Sequence, residues 1–519
     1  MPFTIRVADK WGHLLNVDES KKLKKVLGLW GLVSIGLIGA YPIGVAMSAG
    51  AGFVVYAGVA APLVLVFGAL MILFFTVPIF EYSRITAFNG GYYGLAELGL
   101  GRAVGKYTAT INLLYLLWWN IVGPAAVSFD VFTFMYYLFH YQIPAVLYIG
   151  ISAIAMLSIF VFTVYEVKTT VKAFMIAVAI EILTIASVAI YVIAKAPYNS
   201  VAPFLVSSAP AGLNSIMLGV IVAGFLSYVM YGNPLFFAEE GKSSYKDSWR
   251  AMVLIIVIFT LLGLLGTYSE IATVNPSSPG NLTSVWNPAA VFYLPYIGFA
   301  GVFIYLAIAI GLQFFSTLTP GMTTARMFFS MARDGFFKSK WLGKIDPKRG
   351  TPINGAIANL AIGMPLLIVF ESVLFVVYGS FNASFYALFL SGSMGVAFWF
   401  FHHIIPDISF PVFLRKNKVK LLSPRYFFSA IVAPAGAIVL FVSALYYGYS
   451  GLAEPYFAGF VIVLVMVAAG AIYTAYKWHK GELGQSYVKN TISTDFLRVA
   501  SGEVSQEVPA VEAKGDTGE

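Results

Sequence analysis

Two short stretches of this chain place helix-breaking residues where the flanking sequence is apolar enough to lie in lipid. The first runs Ser34-Ile35-Gly36-Leu37-Ile38-Gly39-Ala40-Tyr41-Pro42. The second runs Tyr228-Val229-Met230-Tyr231-Gly232-Asn233-Pro234. Proline removes a backbone donor and clashes with the preceding turn, and glycine leaves helical angles at little cost. An interrupted helix exposes N–H groups at one new end and carbonyls at the other. The N–H end carries partial positive charge and suits a carboxylate; the carbonyls suit an ammonium. A free amino acid carries both charges on one carbon, so two such breaks fit it without any protein ion. Taken alone, the first stretch equally fits close helix packing through small residues. Tyr228 and Tyr231 fit either a lid over a ligand or ordinary packing aromatics.

Ionisable groups inside apolar runs are the next candidates. Glu181 lies mid-run in Ala177-Val178-Ala179-Ile180-Glu181-Ile182-Leu183-Thr184. A central acid costs roughly 2.5–3.5 kcal/mol to insert. It fits a proton carrier, or a neutral carboxylic acid bonded to neighbouring hydroxyls or backbone. Asp130 is read as the other acid within a run, paired in an outer vestibule or near the surface. Gln313, Trp119 and Asn120 are candidate wall residues. His402 and His403 are read as interfacial anchors, and Glu239 and Glu240 as partners of basic loop residues. The chain has no cysteine. No metal-ligand spacing, nucleophile triad or phosphate-cradling G-x-x-x-x-G-K-[ST] stands out. Neither an enzyme nor a cofactor or metal is therefore expected.

The elements that must position these groups follow from composition. Of 519 residues, 59% are hydrophobic and 11% charged, too few charges to cover the surface of soluble domains. A soluble enzyme, a nucleic-acid binder and a disordered chain are thereby excluded, and a polytopic helical membrane protein remains. The net charge of +8 sits in loops that can face anionic lipid headgroups. Twelve stretches meet the length of a membrane helix: 26–49, 55–80, 104–138, 143–164, 171–195, 214–238, 251–273, 298–325, 353–371, 383–404, 427–448 and 456–477. Sorting the connections by side puts every one of the 32 lysines and arginines except Lys195 on one side. The positive-inside rule makes that side cytoplasmic, with both termini. Residues 1–25 read as a cytoplasmic segment, 406–480 as the last two spans, and 481–519 as a disordered cytoplasmic tail. Breaks in the first and sixth spans suggest two inverted five-helix units, 26–196 and 197–405, with a site at mid-depth between them.

Several dispersed motifs then resemble one family. Gly36-Leu37-Ile38-Gly39-Ala40 resembles a Gly-rich unwound segment, and Asn89-Gly90-Gly91-Tyr92-Tyr93 a Gly-Gly-x-Tyr loop. Phe237-Ala238-Glu239-Glu240 resembles a Leu-Ala-Glu-Glu motif. Residues 325–335, Ala-Arg-Met-Phe-Phe-Ser-Met-Ala-Arg-Asp-Gly, resemble a Ser-Arg-x-x-x-x-x-Ala-Arg-Asp-Gly signature, and Gly350-Thr351-Pro352 the approach to the ninth span. In this order they resemble the amino acid–polyamine–organocation permeases, over about 20–480. Tyr41-Pro42 and Gly232-Asn233-Pro234 depart from the usual pattern. The resemblance implies a LeuT-type 5+5 inverted repeat with two peripheral C-terminal helices. It also implies alternating-access transport of an amino acid or small amine across the cell membrane. Ser34, Gly36, Gly39, Ala40, Tyr41, Tyr228, Tyr231, Gly232 and Asn233 would hold the substrate. Glu181 would serve coupling, to protons or possible sodium, with Ser316, Thr317 and Thr319 of the eighth span facing it. An exchanger of amino acids or polyamines is the alternative; a channel or sensor on the same fold is a more distant one.

Overall fold

The computed structural model describes residues 23–417, 424–449, 454–494 and 496. Its regular structure is helical, with two isolated bridges pairing Leu27 with Gly241 and Thr86 with Ile492. In chain order the helices used below are α1 (Leu29–Ala40), α2 (Pro42–Ala57), α3 (Ala61–Phe75), α4 (Val77–Ile85), α5 (Tyr92–Leu100), α6 (Arg102–Phe139), α7 (Ala145–Thr163), α8 (Val167–Lys195), α9 (Leu213–Val222), α10 (Ser244–Ala272), α11 (Leu294–Arg333), α12 (Ile353–Lys416), α13 (Ala433–Tyr449) and α14 (Tyr456–His479).

Ten helical stretches among the described residues are long and apolar enough to cross a bilayer. The two longest, α11 with 40 residues and α12 with 64, run well past the about 20 that one crossing needs. Each breaks at a glycine in a left-handed conformation, Gly298 (φ 68°) and Gly379 (φ 70°), which a side chain would disfavour. The arms of α12 on either side of Gly379 fall where separate ninth and tenth spans are expected. The expected sixth span is not one helix: α9 stops after 10 residues, and 3₁₀ turns over Gly224–Tyr228 and Asn233–Glu240 follow.

The middle of the molecule is α6, packed along α11 and α12; α10 packs against α1, α2 and α8. Lipid offers no partners to polar groups, so those between helices bond one another. Asn120 donates to Thr324 Oγ1 (2.8 Å) and accepts from Asn359 (3.2 Å). Ser152 donates to Glu371 (2.7 Å) and shares a hydrogen bond with Ser128 (2.7 Å). Apolar side chains such as Val146 and Val376, 84% and 86% exposed, form a rim that suits lipid.

The described end of the chain corrects one expectation. Residues 481–494 are not a loose tail but a docked strap. Gln485 N–H donates to Asp334 O (2.6 Å) and Ser493 N–H to Ile85 O (2.7 Å). Val488 is buried. The strap is polar, yet its backbone finds partners in the loops it crosses, which composition does not reveal. The N-terminal segment through residue 22 and the tail from 497 lie outside the described residues.

Candidate functional site

The first break falls at Tyr41-Pro42, whereas Gly36-Leu37-Ile38-Gly39-Ala40, expected to be unwound, stays α-helical. α1 is apolar all round and runs to Ala40; Tyr41 turns left-handed (φ 55°, ψ 63°), and Pro42 opens α2. A non-glycine residue in that region costs about 1–3 kcal/mol. The side chain offsets this: the Tyr41 hydroxyl lies 2.8 Å from Asp130 Oδ2 and 2.9 Å from Ala309 O. A phenol has one hydrogen to give. Both contacts are hydrogen bonds at once only when Asp130 brings a proton of its own.

Pro42 has no N–H, so the first donor of α2 is Ile43. It donates to Glu181 Oε1 at 3.0 Å, while Glu181 Oε2 is buried with no partner among the described residues. A carboxyl from α8 thus caps the positive end of α2, where charge and dipole are complementary. On the carbonyl side, Gly39 O accepts from Ser316 Oγ (3.3 Å). The expected bare N–H end is therefore occupied by the protein itself. Thr317 and Thr319 donate within their own helix, to Phe314 O and Ser316 O.

The second break lies earlier than the Gly-Asn-Pro triplet suggests. α9 ends at Val222, Ala223 leaves helical angles (φ −120°, ψ −36°), and Pro234 instead opens the second 3₁₀ stretch. The triplet does not line the opening between the two breaks, and neither do Tyr228 and Tyr231; Ser227, Val229 and Met230, which alternate with them, do. Tyr228 donates to Leu65 O and bonds Thr260 (both 2.9 Å). Tyr231 bonds Thr76 (2.7 Å) and His403 Nε2 (2.5 Å). Both rings are buried packing groups. Gly232 lies against the Tyr92 hydroxyl, Gly36 against Ile255 and Pro234, and Asn233 Nδ2, beside Gly39, is buried without a partner among the described residues. Ser34 donates to Gly31 O (2.9 Å).

Between the breaks lies a cavity of about 720 Å³. Gly39, Ala40, Tyr41, Ser316 and Thr317 line it, joined by Trp119, Asp130 and Gln313. Ser34, Gly36, Glu181, Tyr228, Tyr231, Gly232 and Asn233 are not in its wall. α12 and the 283–287 segment close one side with rings: Trp286 stands 5.2 Å from Phe385 and 5.9 Å from Phe129, and Phe385 stacks on Phe389 at 4.4 Å. Asp130 is the one charged residue of the wall among the described residues.

Ion pairs tie the end of α11 to residues 239–240 and to α5 and α6. Arg326 binds Glu240 through Nε (2.5 Å) and Nη2 (3.0 Å), and Arg333 binds both oxygens of Glu239 at 2.7 Å. This is the pairing expected of Glu239 and Glu240. Lys106 bonds Asp334 and lies 2.9 Å from Glu97. Burial raises the Glu97 carboxyl above the usual carboxylate range, against the pull of Lys106. The strap joins in: Ser486 donates to Glu97, and the Arg333 guanidinium lies 3.6 Å from the centre of the Tyr487 ring.

Two further corrections concern buried groups. His402 and His403 are not at an interface; both are buried, and His403 Nδ1 lies 3.2 Å from Asp407 Oδ2. Asp130 and Glu181 have company, since Glu270, Glu371 and Asp407 are also fully buried. Their signal was an acid at the edge of an apolar run, indistinguishable there from an ordinary loop charge.

No curated protein matches this chain. Among solved structures it aligns with Mhp1, a nucleobase-cation-symport-1 family transporter in a closed conformation with bromovinylhydantoin bound. That alignment has 14% identity and a TM-score of 0.49, covering 92% of this chain and 99% of the other. Residues 27–474 match the amino acid permease family. Since this match spans most of the chain, the protein belongs to the amino acid permeases of the amino acid–polyamine–organocation superfamily and is a membrane transport protein rather than an enzyme.

Proposed function

We propose that this permease is a secondary active transporter of an amino acid or related small amine, working by alternating access and driven by protons. The observation that carries the reading is a cavity bordered by two interrupted helices, α1/α2 at Tyr41 and α9 at Ala223. Breaks at corresponding places in two halves mark a midplane site in secondary transporters. Twelve crossings follow if the two arms of α12 count separately and the interrupted 213–240 segment counts once. On that reading 26–196 and 197–405 are inverted repeats, α13 and α14 are peripheral, and the basic side and both termini are cytoplasmic at the cell membrane.

Glu181 is the coupling group in this proposal. It caps α2 at the break, and its second oxygen has no partner among the described residues. Protonation would weaken the cap and leave α2 freer to move against α8. Sodium would need several oxygen ligands at Glu181. A proton needs only the one carboxyl, whose Oε2 has no partner among the described residues, so a proton is preferred. The test is Glu181→Gln in proteoliposomes. The variant is expected to retain exchange of labelled for unlabelled substrate and to lose accumulation driven by a pH gradient. Undiminished gradient-driven accumulation would reject the role. An exchanger would show exchange alone in the unaltered protein; a channel or sensor would show no exchange.

A further inference from the structure

We infer that the substrate is an amine with an aromatic body, its ammonium at Asp130 and its ring against the wall formed by Phe129, Trp286, Phe385 and Phe389. This rests on the carrier reading above and narrows it. Three observations converge. First, no lysine, arginine or histidine among the described residues lines the cavity, and Asp130 supplies its one charge. An anionic ligand would enter without a countercharge, whereas an ammonium meets a carboxylate in a low-dielectric setting. Second, the backbone donor that a substrate carboxylate would seek at the start of α2 is taken by Glu181. The ammonium end is therefore the better served end of any zwitterion. Third, the rings form a continuous surface: Phe129 lies 5.9 Å from Trp286 and 5.6 Å from Phe389, which stacks on Phe385 at 4.4 Å. Phe129 adjoins Asp130 in the chain, so charge and ring wall share one turn of α6. Aromatic surfaces of this kind favour offset or edge contacts with another ring.

The Tyr41–Asp130 contact fits the same role. The Asp130 side chain has one hydrogen-bond partner among the described residues, the Tyr41 hydroxyl on Oδ2. An arriving ammonium can bind the carboxylate while Tyr41 keeps its bond to Ala309 O. Binding is thereby reported directly to the break in the first helix.

The shared chemistry, an ammonium and a ring, occurs in both aromatic amino acids and arylalkylamines. The full-length chain in proteoliposomes distinguishes them by counterflow with labelled phenylalanine and with labelled 2-phenylethylamine, each against alanine, glutamate and lysine. At least one aromatic compound is expected to half-saturate at about tenfold lower concentration than alanine. If phenylethylamine suffices, the carboxylate is dispensable; if only phenylalanine works, it is required. Asp130→Asn, which can still accept from Tyr41, is expected to weaken aromatic binding about thirtyfold or more. Trp286→Ala is expected to narrow the preference for phenylalanine over alanine to about threefold or less. Preferred exchange of alanine, glutamate or lysine overturns the substrate class and leaves the carrier reading standing. Exchange of none of the five overturns both. Unchanged half-saturation in Asp130→Asn overturns the ammonium placement, and an unchanged preference in Trp286→Ala overturns the ring wall.

Discussion

The ion pair between Arg326 of α11 and Glu240 makes the sharpest energetic test of how α11 is held to the 233–240 turn. Both side chains are nearly inaccessible, 1% and 2% exposed. Arg326 makes two bonds to the carboxylate, a third to Met322 O (3.0 Å), and lies 4.0 Å over the Phe237 ring. Arg326→Met keeps much of the side-chain volume and removes the charge. Among the described residues, Glu240 would then be left buried with only Asn89 Nδ2 at 3.3 Å. Breaking a buried pair from one side costs about 3–5 kcal/mol, because the remaining charge is uncompensated. Removing both charges is far milder, so Arg326→Met combined with Glu240→Leu is expected to recover all but about 1–2 kcal/mol. Unfolding by SDS titration in mixed micelles, followed by tryptophan fluorescence, measures the unaltered protein, both single variants and the double variant. A single variant within about 1 kcal/mol of the unaltered protein would refute the argument. So would a double variant as weak as the worse single, since the penalty would then not come from the orphaned charge.

Two other substitutions probe the packing around the breaks. Tyr41→Phe removes the hydroxyl that meets Asp130 and Ala309 O; it is expected to cost about 1–3 kcal/mol in the same titration, and no loss would show that the hydroxyl does not hold the break. Gly99→Ala would drive a methyl into the backbone of Ser409, where neither chain can yield by a rotamer change; a loss of about 1–3 kcal/mol is expected from thermal unfolding, and a neutral result would mean that α5 and α12 can part there.

How much of this was legible in the residues differs from feature to feature. The spans were legible because lipid demands long apolar runs, and no other structure satisfies the backbone there. The break at Tyr41-Pro42 was legible for a local reason, since proline removes its own donor. The break in the second half begins earlier than expected, at Ala223, although the expected stretch 227–234 does lie within the 3₁₀ and turn geometry that follows. Of the residues expected to hold a substrate, Gly39, Ala40 and Tyr41 reach the cavity, whereas Tyr228 and Tyr231 turn into packing between helices. Along the chain, a buried tyrosine and a pocket tyrosine look alike.

The sequence by itself determined the class of protein, the first interruption and Glu181 as an acid within an apolar run, because each depends on composition or on one residue's own backbone. Only the tertiary structure decided what those groups meet. It brought Glu181 of α8 to the N–H of Ile43, Asp130 of α6 to Tyr41, and the rings of α6, α12 and the 283–287 segment to one wall. These partners lie tens to hundreds of residues apart. Their meeting is fixed by how helices pack, and no local spacing encodes it.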